Sequence, residues 1–160
     1  MRMVEIGFMD PAEADQLGTV FFDAVRQGAA GFYDADQRRA WAPRVPAGPD
    51  WARRLTGQQT LVARVAGKPV GFMTLDAQGY IDLAFVAPAH QRQGVGGRLY
   101  ARIEDLAQEA GLERLHAQAS HLVRGLFEQQ GWRVLREQQS ERAGVTLTNF
   151  VMEKRLSGAA

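Results

Sequence analysis

The chain contains no cysteine, and that absence removes disulfide bridges, thiolate metal ligands and a cysteine nucleophile together. Histidine is scarce: His90, His116 and His121 show no HExxH-type spacing, so no protein-built metal site is expected. No apolar run approaches the ~20 residues that span a bilayer. The opening MRMVEIGFMD also lacks the apolar stretch and small-residue cleavage site of a secretory leader. A cytoplasmic protein with no membrane partner is expected. Basic and acidic side chains nearly cancel, 19 against 18, and no dense Lys/Arg run exists, so no nucleic-acid partner is expected either. The pairs Arg38–Arg39 and Arg53–Arg54 fall in amphipathic segments, where a solvated face accounts for them.

What is present is ordinary for a globular protein: 160 residues, 46% hydrophobic and 23% charged. Length and composition predict one domain over 1–160, with no repeat, low-complexity segment or linker. Residues 4–9 read as a strand. Asp10 then caps a helix with Pro11 at its first position, and Leu17, Val20, Phe21, Ala24 and Val25 recur at helical spacing until Gly28 and Gly31. Short helices are predicted over 36–41 and 50–55, separated by Pro43, Pro46 and Pro49.

Strand-like runs over 60–65, 70–75 and 80–86, joined by short turns, predict an antiparallel meander. A helix over 97–110, a strand over 114–119, a helix over 121–130 and a closing hairpin of 132–138 with 145–154 complete the pattern. The tail 157–160 is expected to fray. This order is α+β, with mixed pairing where helices cross over.

The chemistry concentrates in QRQGVGG, residues 91–97, between a strand and a helix. Gly94, Gly96 and Gly97 permit positive φ and close approach of backbone to a ligand. Backbone N–H groups at a helix start suit a phosphate, and Arg92 and Arg98 add charge. Rival phosphate motifs fail. GxGxxG requires glycine where Leu99 stands, and the chain's Gly67–Lys68 is followed by Pro69 rather than Ser or Thr. A glycine-rich helix start with no ligand is the bland alternative, but it needs fewer glycines and no flanking arginines.

The pattern [Q/R]-x-x-G-x-[G/A] resembles the acetyl-CoA site of the GCN5-related N-acetyltransferase (GNAT) superfamily. LFEQQGW at 126–132 is similar to the end of that family's fourth helix, and the likeness covers roughly 60–155. AWAP at 40–43 and LTNFVMEK at 147–154 resemble a bacterial subgroup, the YafP type. The resemblance implies a central mixed, mostly antiparallel sheet of about seven strands flanked by helices. It implies acetyl-CoA as co-substrate, no metal, and an amine acceptor on a small molecule or protein. A homodimer is frequent in the superfamily.

By the same resemblance, Ala84, Phe85 and Val86 pair with the pantetheine arm, and an N–H near Val86 faces the thioester oxygen. The pyrophosphate lies over Gln91, Arg92, Gln93, Gly94, Val95, Gly96 and Gly97, with Arg98 nearby. Ser120 stands where many members carry an asparagine that contacts the arm. Asp82 is the expected base acting through water, its alternative being an ion pair with a nearby arginine. Tyr33 and Trp41 fall in the region that walls the acceptor pocket, or else pack in the core. The departure is Phe127, which stands where many members place a tyrosine acid; Tyr80, Tyr33 or water is left to protonate the thiolate. That departure keeps a second function open, a non-catalytic acyl-CoA-binding sensor or interaction module.

Overall fold

Strand β1 (Val4–Phe8) pairs antiparallel with β2 (Gln59–Val65), which pairs with β3 (Lys68–Leu75) in a computed structural model describing residues 3–156. The expectation for the tail 157–160 lies outside the described residues. Ala66 and Gly67 both take positive φ, as a two-residue turn of primed type requires, so β3 starts two residues earlier than its apolar run. Both faces of this hairpin are covered, which explains its nearly continuous apolar sequence. Leu61, Ala63 and Val65 pack towards helix α4 (Val95–Glu109). Val62 and Phe72 pack towards α1 (Ala14–Asp23) and α3 (Gly48–Thr56) on the other face.

Asp10 caps the first helical segment as expected, in a reciprocal capping box with Glu13. α1 then continues through a π-helical turn to Gly28, which its apolar spacing does not reveal. Helix α2 (Ala35–Trp41) opens on a second capping box, Asp34 with Gln37.

The run 80–86 is a single strand by sequence but two short strands in the structure. β4 (Tyr80–Ile81) pairs parallel with β6 (Arg114–Ala119), whereas β5 (Ala84–Val86) pairs antiparallel with β3. Between them Leu83 N–H bonds to the Thr74 hydroxyl at 3.0 Å, while Leu83 C=O still accepts from Thr74 N–H at 2.9 Å. A side chain thus replaces one ladder acceptor, and the strand is deflected there. β6 pairs with β8 (Val145–Arg155), and β8 with β7 (Arg133–Arg142), all antiparallel. Counting β4 and β5 as one broken strand gives seven, in the order β1-β2-β3-β5/β4-β6-β8-β7. This is the mixed, mostly antiparallel α+β sheet expected.

The closing hairpin runs further than its apolar pattern suggests. β7 continues to Arg142 through polar, largely exposed residues, and turns at Ala143 and Gly144, both at positive φ.

Candidate active site

The break after Ile81 opens the sheet. Among the described residues, His116 and Ala117 of β6 pair with β4, but Gln118 and Ala119 pair only with β8, and β5 pairs only with β3. Hydrogen bonds from Thr74 N–H to Leu83 C=O and from Ala87 N–H to Val70 C=O set the parity of the β3–β5 ladder. Phe85 is therefore bonded to Phe72, and the N–H groups of Ala84 and Val86 turn away from β3 towards the gap. Of the three backbone positions proposed for the pantetheine arm, two face the gap and Phe85 does not. Phe85 contributes its ring instead.

One cleft of about 390 Å3 lies between β5, the 91–97 loop and helix α5 (His121–Gln129). Gln91, Arg92, Gly94, Val95, Gly96 and Gly97 all line it, as do Ala84, Phe85 and Val86. Gln93 and Arg98 are exposed beside it. The loop corrects the sequence reading in one respect. Helix α4 begins at Val95, so Gly96 and Gly97 belong to its first turn, and positive φ falls on Gly94 (82°) and on Arg92 (62°). Among the described residues no side chain caps this helix, and its first N–H groups are left to a ligand or solvent. A Cβ built at Gly94 or Gly97 would meet nothing within 4 Å; one at Gly96 would press on Leu126 at 3.2 Å. Gln91 anchors the loop by donating from its side-chain amide to Val86 C=O at 2.9 Å. Neither Arg92 nor Arg98 has a carboxylate partner among the described residues.

A second cleft, of about 170 Å3, adjoins the first and shares Ala84, Phe85 and Val123 with it. Tyr33, Trp41, Tyr80, Asp82 and Ser120 line it, together with Arg54, Gln118, Ser140, Arg142 and Asn149. Phe21, Trp41 and Phe85 form an aromatic wall, with Phe21 edge-on to Phe85 at 4.8 Å. Tyr33 is buried and its hydroxyl is spent: it donates to Thr148 C=O at 2.8 Å and accepts from His121 N–H at 3.0 Å. Burial raises its pKa, as it does that of Tyr80. Ser120 caps α5, accepting from Leu122 N–H at 3.2 Å.

Asp82 is held bidentate by Arg54, Nε to Oδ2 at 2.7 Å and Nη2 to Oδ1 at 2.9 Å, and Gln58 donates to Oδ2 at 3.2 Å. Burial pushes the carboxyl up, but Arg54 and Gln58 outweigh it, and the pKa lies below the usual carboxylate value. Arg54, read from sequence as one of a solvated pair, is thus a cleft residue. Phe127 borders this cleft with its ring stacked on Trp132, centroids 4.2 Å apart, and is fully buried. Asn149 and Arg142 escaped the sequence reading altogether. The signal for Asn149 was an amide sharing strand parity with Leu147 and Val151.

Residues 24–154 match the acetyltransferase (GNAT) domain family. The chain is 31% identical over 152 residues to the uncharacterized N-acetyltransferase YafP of Escherichia coli (strain K12), covering 95% of this chain and 96% of that one. A crystal structure of a GCN5-related N-acetyltransferase from Rhodopseudomonas palustris superposes with a TM-score of 0.90 at 30% identity, covering 98% of each chain. A phosphinothricin acetyltransferase of the same superfamily from Sinorhizobium meliloti, in complex with acetyl-CoA, shares the fold. Its TM-score is 0.74 at 16% identity, over 96% of this chain and 88% of that one. The chain belongs to the GNAT acetyltransferase family, and acetyl-CoA-dependent N-acetyl transfer is its class of activity.

Proposed function

We propose that the chain moves the acetyl group of acetyl-CoA to a primary amine of a small molecule or protein, by direct attack where the two clefts meet. The observation that carries this is the shared border of Ala84, Phe85 and Val123, which brings a donor in one cleft against an acceptor in the other. Coenzyme A fits the first cleft: open space at Gly94 and Gly97, the uncapped start of α4, and Arg92 and Arg98 without carboxylate partners all suit phosphates. The relative crystallised with acetyl-CoA has the same fold. Bound there, acetyl-CoA supplies an activated acyl group on a thiol leaving group.

The chain's own residues then have separable roles. The N–H groups of Ala84 and Val86 face the gap and are available to the arm and the thioester oxygen. Asp82 uses three of its four lone-pair sites on Arg54 and Gln58, which leaves the fourth for a water. Its low pKa keeps it charged, so it orients that water, and the water carries the first proton of the incoming ammonium away to solvent, leaving the nitrogen a lone pair for attack. The amine nitrogen bonds to the acyl carbon as the carbon–sulfur bond breaks; a proton leaves through the water, and the thiolate is protonated from solvent. A thiol with a pKa of about 8.5, by analogy with cysteine, needs no stronger acid than that. Phe127 accordingly does not preclude turnover.

The test is thiol release from acetyl-CoA with a panel of primary amines; the cysteine-free chain adds no thiol background. Turnover is expected on at least one amine, and Asp82→Asn is expected to lower it by on the order of 100-fold. Coenzyme A binding with no turnover on any amine supports the sensor reading that Phe127 favours. No binding at all overturns both.

A further inference from the structure

The backbones of Asn149 and Arg142 belong to the β7–β8 ladder, but their side chains make no hydrogen bond or ion pair among the described residues. The Asn149 Oδ1 atom is shielded from solvent and has no hydrogen-bond partner among the described residues, an expensive arrangement for an amide unless a ligand or water satisfies it. The β7–β8 register explains how it reaches the acceptor cleft. Gln138 is opposite Asn149, Ser140 opposite Leu147 and Arg142 opposite Val145, and cross-strand partners share a face. Asn149, Leu147, Ser140 and Arg142 therefore project from one face of the hairpin, and all four line the cleft. Gln138 on the same face donates to Gln118 of β6 at 3.2 Å, which fixes this face against the cleft floor.

The charge on that lining is unbalanced. Two guanidinium groups, Arg54 and Arg142, stand against one carboxylate, Asp82, which is already committed to Arg54. Arg142 has no acidic partner among the described residues. A simple alkylammonium entering such a cleft meets a net positive lining, whereas a ligand that brings its own anion cancels the excess. The opposite wall is apolar, formed by Phe21, Trp41 and Phe85. At about 170 Å3 this cleft is small against the ~300–1,000 Å3 of pockets that take drug-sized ligands.

We infer that the acceptor is a small amine bearing a carboxylate and an apolar side chain: the Asn149 amide turns to accept from the amine, and Arg142 takes the carboxylate. This rests on the second cleft being the acceptor site, and it deepens that reading from amines in general to anionic amines. Arg142 is a specificity residue under this assignment, and Asn149 positions the nitrogen for attack.

The experiment compares L-leucine, leucinamide and 3-methylbutylamine, which share a side chain and an amine but not the carboxylate. Binding to the protein saturated with coenzyme A is followed by calorimetry, and turnover with acetyl-CoA by thiol release. Leucine is expected to bind at least about tenfold more tightly than the two carboxylate-free analogues, the effect of one charge-assisted hydrogen bond. Arg142→Gln should collapse that difference to less than about threefold, and Arg142→Lys should restore part of it. Asn149→Ala should weaken all three amines. 5-Aminopentanoate against pentylamine repeats the comparison with the carboxylate further from the nitrogen, and preference for either anionic member supports the inference. Equal or tighter binding of the carboxylate-free amines overturns it, as does equal loss for all ligands in Arg142→Gln or binding by none. Carboxylate-dependent binding without turnover leaves the acceptor class standing and sinks the transferase reading instead.

Discussion

At the scale of single residues, the loop glycines are not equivalent. Gly94 needs its left-handed φ of 82°, so any substitution there strains the backbone before a ligand is considered. Gly96 carries ordinary helical backbone, but a side chain would crowd Leu126. Gly97 has both ordinary backbone and open space, and that makes it the informative site. Gly97→Asp would project a carboxylate into the first cleft, beside the uncapped helix start. Coenzyme A affinity is expected to fall by more than about 100-fold, while the apo Tm stays within about 3 °C of the parent, since an acid in a first helical turn is itself favourable. Calorimetric titration with a melting curve checks both halves. Retained affinity would place the phosphates elsewhere. The three glycines were legible in the sequence; their division of labour was not, because φ and Cβ clearance depend on where α4 begins and on Leu126, contributed from α5.

At the scale of elements, the determining feature is the break between β4 and β5, and Thr74 makes it. Thr74 is fully buried, and its hydroxyl takes the N–H of Leu83 that a continuous ladder would give to backbone. Thr74→Val keeps the shape and removes that acceptor, leaving a buried N–H unpaired at a cost of about 1–3 kcal/mol. Denaturant unfolding should show that loss, and Thr74→Ser should recover most of it. Equal stability of the valine variant would mean the break is set by something other than this bond. The run 80–86 reads as one strand because each residue is locally compatible with extension; the competing acceptor sits on the neighbouring strand, beyond the reach of periodicity. The polar continuation of β7 is hidden for a related reason, since an exposed strand buries no regular apolar face.

The outer half of the sheet offers a pH-dependent counterpart. Glu153 on β8 is nearly buried and is gripped by Arg114 of β6, at 2.6 Å, and by Arg133 of β7. Arg114 and Arg133 hold its carboxyl down at about 2, against 4.5 for the free group. A depressed folded-state pKa gives stability that is complete above the unfolded value and is lost as pH falls through the folded one. The window is therefore about 4.5 down to about 2. Stability of the parent should decline through that window, and Glu153→Gln should start lower and decline less steeply. If the glutamine variant kept the parent's acid slope, the three-strand bridge would not be its source.

At the scale of the molecule, the two half-sheets are joined by one broken strand and by a core on the α4 face that runs from Leu61 and Met73 across to Leu115, Phe150 and Met152. The cleft occupies the side of β5 where the halves part. A ligand lying there binds the folded chain only, so coenzyme A at about 100 times its Kd should add about 2.7 kcal/mol. That amounts to a Tm rise of about 5–10 °C for a chain of this size. The family's general plan was legible from QRQGVGG and LFEQQGW, but the junction of the two clefts was not, because it needs β5, α5 and the β7–β8 hairpin in one place. Amide hydrogen exchange resolves where the stabilisation enters. Phe85 N–H is already committed to β3, whereas those of Ala84 and Val86 face the gap. Beyond the uniform gain of a more stable fold, protection on adding coenzyme A should rise at Ala84 and Val86 and not at Phe85. That alternating pattern is the signature of an arm lying along β5 as an added strand. Equal protection at all three positions would show the ligand stabilising the molecule from another surface.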